Sequence, residues 1–269
     1  MKKTIITIFI LIIALAAIAG ALVLADKLFY VPNEEPTLNN YSYKADEVAG
    51  IDISASVAYI NIMRSSDSDV AVDCIDAGRG LYSVTCDGGQ LTVTGKKLPW
   101  YDTLRHIDSG KYGVTVVVPD SFSGEINITL DAGEIKIDGA GATNINIVGN
   151  AGDITVSNVS AENLHITADV SDIKLGAVSA ELIDVFVSVG NITFSDADIG
   201  ASVSFNTETG NIEGNFTDKR ADFTVFCGAD VGTVNVTEDD NAVGGDNVDK
   251  TIKCDLRTSI GDITVEFGE

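Results

Sequence analysis

"AGDITVSNV", residues 151–159, has one near-copy nineteen residues earlier, "AGEIKIDGA" at 132–140, and another nineteen residues later, "VSDIKLGAV" at 170–178. The second position of this phrase recurs as Gly133, Gly152, Ser171, Gly190, Gly210, Gly232 and Gly261, in steps of 19, 19, 19, 20, 22 and 29. A fixed period near 20 marks a solenoid, in which one repeat cannot bury its own apolar face and stacked repeats can. Within each repeat the apolar residues alternate: Ile126, Ile128 and Leu130 precede Ile135 and Ile137, and Ile183, Val185 and Val187 precede Ile192 and Phe194. Period 2 means strands with one buried face. The sequence therefore predicts an all-β chain, a β-solenoid of about seven short coils with a 19-residue repeat, each coil holding two strands and two turns. Ile135, Ile154, Ile173, Ile192, Ile212, Val234 and Ile263 should form one inner ladder, in that order. At the usual strand spacing seven coils extend on the order of 35 Å.

Outward from the repeats, the chain divides. Residues 4–25, "TIITIFILIIALAAIAGALVLA", carry no charge over 22 positions and follow Lys2 and Lys3. That length suits a bilayer core. Residues 1–25 are thus expected to form a transmembrane helix, a signal-anchor with its N-terminus in the cytoplasm. The alternative is a cleaved signal peptide, since Ala17-Ile18-Ala19 and Val23-Leu24-Ala25 suit cleavage, and the product would then be secreted. In either case the main domain is extracytoplasmic. Residues 26–43 read as a polar tether and 44–269 as the solenoid domain. Within that domain 44–125 is an irregular N-terminal part and 126–269 holds the regular repeats. "SVAYINIM" at 56–63 and "GGQLTVTG" at 88–95 echo the phrase without its spacing, and 238–249 reads as an inserted acidic loop.

Net charge is −23, with 40 acidic against 17 basic side chains. A nucleic-acid ligand is excluded, because phosphate binding needs a basic face. Four cysteines suit an oxidising compartment. A hairpin turning near Arg79–Gly80 would set Cys74 opposite Cys86, where the two either form a disulfide or stay as buried free thiols. Cys227 and Cys254 match less cleanly in register.

The N-terminal apolar segment, "VTVVVPDSF" at 114–122 and recurring "GDITV"-like phrases ending in "IGDITVEFGE" together resemble the bacterial "putative adhesin" family. The resemblance covers about residues 47–269. It implies a β-solenoid domain of unknown function at the cell envelope, and it brings no catalytic residues.

No nucleophile–base constellation stands out, and no enzyme is expected. His165 falls on the outward parity beside Asn146 and Asp184 and reads as a surface residue. His106 reads as a loop residue. Outward Lys136 and Lys174 stand two coils apart and are the nearest thing to a lyase site. The residue after each turn glycine is Glu134, Asp153, Asp172, Asn191, Asn211, Thr233 or Asp262. Stacked, these either satisfy backbone amides, or the carboxylates Glu134, Asp153 and Asp172 hold a divalent ion such as calcium. No other cofactor is expected. The loop at 96–113 gathers Trp100, Tyr101 and Arg105, either as a lid on the solenoid end or as a contact patch. The leading expectation is a membrane-anchored, non-catalytic adhesion or interaction scaffold, with an envelope protein or surface glycan as partner. The alternatives are a modulator subunit of an envelope-stress or sensor complex and a polysaccharide-acting β-helix enzyme.

Overall fold

The computed structural model describes residues 37–76, 80–97, 112–237 and 252–268. The expected anchor at 1–25, the loop residues Trp100, Tyr101, Arg105 and His106, and the acidic insertion at 238–249 lie outside the described residues. Among the described residues no helix is long and apolar enough to cross a membrane.

Among the described residues eighteen strands make one hydrogen-bonded system. The first six are β1 (Thr37–Lys44), β2 (Gly50–Ser65), β3 (Asp69–Asp76), β4 (Tyr82–Asp87), β5 (Gln90–Gly95) and β6 (Gly113–Pro119). The repeat region holds β7 (Glu125–Asp138), β8 (Gly141–Ala151), β9 (Ile154–Ser157), β10 (Ser160–Val170), β11 (Ile173–Gly176), β12 (Ser179–Val189), β13 (Ile192–Thr209) and β14 (Ile212–Lys219). The last four are β15 (Phe223–Val231), β16 (Val234–Thr237), β17 (Ile252–Ile260) and β18 (Ile263–Gly268).

Equivalent residues of successive repeats pair in parallel, as the 19-residue period predicts. Ile154 lies opposite Ile135 on one side and Ile173 on the other, and Ile173 continues to Ile192. A second column runs Ile126, Ile145, Leu164, Ile183 and Val203. All these side chains are almost or wholly removed from solvent. They form the core, because alternation along each strand sends one side chain in two to the interior.

Turn chemistry fixes the period. Gly152 has φ 124°, and a Cβ there would strike the carbonyl oxygen of Gly133 in the coil before. Only glycine allows so close a stacking of turns at positive φ. Ser171 is the exception in the series. Its backbone is not in the positive-φ region, and its hydroxyl donates to the Gly152 carbonyl.

Three expectations need correction. First, the ladder does not follow sequence order at its C-terminal end. Ile212 pairs with Ile263, and Ile263 in turn pairs with Val234. The last repeat, β17 and β18, therefore inserts between β13–β14 and β15–β16. Burial marks the layers: Ile252, Cys254, Leu256, Ile263 and Val265 are all 0% exposed, and Val225, Cys227 and Val236 of β15 and β16 are only partly buried. The physical reason is the longer apolar row of β18, whose Phe267 packs between Phe216 of β14 at 5.3 Å and Phe223 at the start of β15 at 5.0 Å, where β16 ends at Thr237. The 29-residue step before Gly261 supplies chain for the last repeat to pass the one before it.

Second, the irregular N-terminal part contains a complete coil. β2 pairs with β7 from Gly50↔Glu125 to Met63↔Asp138, placing Ile51 and Ile60 in the two columns. On its other edge β2 carries β5 and β6, which are followed outward by antiparallel β4 and by β3 and β1. Third, the tether is shorter than expected. Thr37–Lys44 is strand β1, paired antiparallel with β3, because Tyr41 and Tyr43, two residues apart, pack against the core.

Candidate functional site

The residues after the turn glycines do stack, and most of the column is a hydrogen-bonded ladder. Asp172 Oδ1 accepts the Asn191 backbone N–H at 2.9 Å and its Nδ2 at 3.1 Å. Asn191 Oδ1 accepts the Asn211 N–H at 2.9 Å, and Asn211 Oδ1 accepts the Asp262 N–H at 2.8 Å. Asp262 Oδ1 then accepts the Thr233 N–H at 2.8 Å and its hydroxyl at 2.7 Å. The Thr233 hydroxyl and N–H hold the Asp262 carboxyl below its ordinary value. Each side chain thus satisfies an amide of the next coil, the first of the two roles expected of this column. Among the described residues no three His, Cys, Asp or Glu side chains gather to hold a metal. Glu134, Asp153 and Asp172 stand in one column but form no such group, and Asp172 is committed to Asn191.

Further ladders repeat the arrangement: Asn146 donates to Asn127 at 2.9 Å, Asn163 to Asn144 at 2.8 Å and Asn158 to Asp138 at 2.8 Å. These contacts were open to sequence reasoning as columns at period 19–20 but were not singled out.

The cysteines are free thiols. The Cys74–Cys86 bridge fails because β3 and β4 do not form a hairpin: β3 pairs with β1 and β6, and β4 pairs with β5. Cys74 lies opposite Val114 and Cys86 opposite Leu91. Burial pushes the Cys74 thiol up to about 12. Cys254 is likewise pushed to about 12, chiefly by burial. Cys227 faces Leu256 and Cys254 faces Val225 on neighbouring strands. That two-residue diagonal separates their backbones by about 8 Å, beyond disulfide reach.

The outward face of the longer strands carries a different pattern. His165 lies between Asn146 and Asp184, as its parity predicts, with Nδ1 at 3.1 Å from Asp184 Oδ2. Next in this direction come Ser204 with Asn206, whose Nδ2 donates to the Ser204 hydroxyl at 2.8 Å. Beyond them Arg257 Nε donates to Asp255 Oδ1 at 2.7 Å. Two exposed rings flank this polar row. Phe186 on β12 is 36% exposed and Phe226 on β15 is 61% exposed. They stand three strands apart and two residues out of register, about 16 Å. A shallow groove of about 510 Å³ runs between them, with Glu208, Asp230 and Arg257 in its walls. Lys136 near the end of β7 and Lys174 on β11 flank Thr155 of β9, away from this groove. Sequence reasoning missed Phe186 and Phe226. The signal was an aromatic on the outward parity, where its neighbours in the column are Thr167 and Asn206.

The Toastrack DUF4097 family model matches residues 48–185 and, overlapping, 125–266. No curated protein matches the chain. Among solved structures the chain is similar to a "putative adhesin" from Bacteroides fragilis, with 17% identity, 85% of this chain and 97% of that chain covered, and a TM-score of 0.49. It is similar to a "putative cell adhesion protein" from Clostridium sporogenes at 12% identity, covering 87% and 100%, with a TM-score of 0.44. It is also similar to a "putative adhesin" from Parabacteroides distasonis at 12% identity, covering 87% and 98%, with a TM-score of 0.45.

Proposed function

The chain belongs to the Toastrack DUF4097 family, and from that premise we propose that it is a non-catalytic adhesion or interaction scaffold at the bacterial envelope. Residues 1–25 anchor it as a single span with Lys2 and Lys3 in the cytoplasm, and the solenoid-like domain stands outside. The outward groove between Phe186 and Phe226 is its contact surface, and an envelope protein or a surface glycan is its partner. The observation that carries this reading is the placement of two exposed aromatic rings on one outward sheet face, where Val148 and Leu182 are also exposed, either side of fixed hydrogen-bonding groups. Aromatic rings beside an arginine are the side chains that concentrate binding energy at interfaces. A flat, stacked sheet holds them at fixed spacing, so little ordering is needed on binding.

The test is adherence of cells displaying the full chain to immobilised envelope material. The parent should hold, and a Phe186→Ser, Phe226→Ser double variant should not, at equal display and equal melting temperature. Periodate treatment of the target abolishes capture if the partner is a glycan, and protease treatment does so if it is a protein. Equal adherence of parent and double variant would remove the groove as the contact surface.

A further inference from the structure

We propose that the C-terminal edge of the domain, β15 and β16, accepts an added strand from an extended, basic partner segment with apolar residues at alternate positions. The inference rests on the reading of this end as a contact surface and names what docks there.

Backbone bonding supplies the first argument. Each coil's turn hands its amides to the next coil. Gly152 N donates to Val170 O at 3.0 Å, Gly190 N to Thr209 O at 2.9 Å, Gly210 N to Ile260 O at 2.9 Å and Gly261 N to Val231 O at 3.0 Å. One turn on, Ile212 N donates to Asp262 O at 3.0 Å and Ile263 N to Thr233 O at 2.9 Å. The next members of these two series are Gly232 and Val234. Among the described residues β15 pairs only with β17, and β16 only with β18. Among the described residues the series therefore ends on an open edge with main-chain donors and acceptors, which is what strand addition uses.

The inward side of that edge asks for apolar cover. Val225, Cys227 and Val236 are partly buried, whereas Cys254, Leu256 and Val265 one layer in are 0% exposed. Val231 and Val234, at the turn, are 65% and 44% exposed. A strand laid along β15 would place every second side chain over this row.

The outward side sets the charge of the partner. Along β15 it presents Phe226, Gly228 and Asp230. The position of a Cβ on Gly228 is open space, so a partner side chain fits between the other two. Glu208 and Asp230 share the groove with Asp255 and Arg257, but Arg257 is paired with Asp255. Glu208 on β13 stands two strands in, and Lys253 lies opposite Thr224 at the start of β15; Asp230, on the edge strand itself, favours lysine or arginine in the partner near the turn, and the Phe226 ring is a second place for a cation. A second copy of the chain would bring its own charge of −23 to the contact, which repels rather than steers.

The test uses the full-length chain and a fluorescent nine-residue peptide alternating valine with lysine. Saturable binding is expected, with slowed amide exchange confined to 223–234. Asp230→Lys should weaken binding about tenfold or more, and a peptide with glutamate in place of lysine should not bind. Lys174→Ser, on β11 and outside both groove and edge, should leave peptide binding unchanged. Adherence of the displayed chain reads the groove and peptide binding reads the edge, so either can fail alone. Peptide binding that ignores both Asp230→Lys and the sign of peptide charge would overturn the proposal. So would protection elsewhere in the chain, or self-association of the chain that Phe226→Ser abolishes.

Discussion

Thr233 and Asp262 lie 29 positions apart, yet the Thr233 amide and hydroxyl both donate to one oxygen of Asp262. The later residue occupies the inner layer and the earlier one the outer. This contact ties β16 to β18 at the end of the stack.

Asp262→Ala should therefore lower the melting temperature and speed amide exchange in β16 ahead of the rest of the domain. The same contact sets an acid dependence. The folded carboxyl titrates below the unfolded value, so its contribution is present above about pH 4 and is lost as pH falls through the lower folded value. Melting followed from pH 6 downward should show a shallower acid loss in Asp262→Ala than in the parent. Parallel acid profiles would contradict the role given to this pair.

The turn series makes a paired prediction. Gly152→Ala puts a Cβ against the Gly133 carbonyl at a positive φ, and the backbone conformation alone costs on the order of 1–3 kcal/mol. Ser171→Gly removes a buried hydroxyl donor but no steric fit, and should cost about 1 kcal/mol. Urea titration of both variants checks the order of the two effects.

Buried thiols predict an alkaline limit. Cys74 and Cys254 are raised from about 9 to about 12. The folded state holds their protons where the unfolded chain would release them. Their contribution is complete below pH 9 and declines as pH rises from 9 toward 12. Cys254→Ala should flatten this decline. With iodoacetamide at pH 8, Cys86 and Cys227 should react ahead of Cys74 and Cys254, as judged by mass spectrometry. Prior reaction at Cys254 would mean that the β17 layer is not interior.

The repeat was legible because a 19-residue spacing leaves the same residue type at Gly133, Gly152 and Gly190, and because Ile135, Ile154 and Ile173 keep one parity. The order of the last two layers was not legible. Val234 and Ile263 both carry the motif, and spacing alone does not say which is covered by the other. The burial of Ile252, Cys254 and Leu256 decided it. The Cys74–Cys86 pairing was misread for a related reason: local parity matched, but β6 displaced β4 as the neighbour of β3. Of the candidate site, the ladder column was visible as turn chemistry. Phe186 and Phe226 were not, since each looks like one more apolar residue until its parity is set against the column.

The layer order is tested most directly by cross-linking in a background without native cysteines. Glu213 lies opposite Thr264, and Thr264 lies opposite Asn235, all in one outward column. Glu213→Cys with Thr264→Cys places two thiols on adjacent strands, about 5 Å apart and within disulfide geometry. Glu213→Cys with Asn235→Cys places them two layers apart, at about 10 Å and out of reach. The account predicts rapid oxidation of the first pair and none of the second. A bridge between positions 213 and 235, with none between 213 and 264, would mean that the repeats stack in sequence order and that the C-terminal strands do not insert.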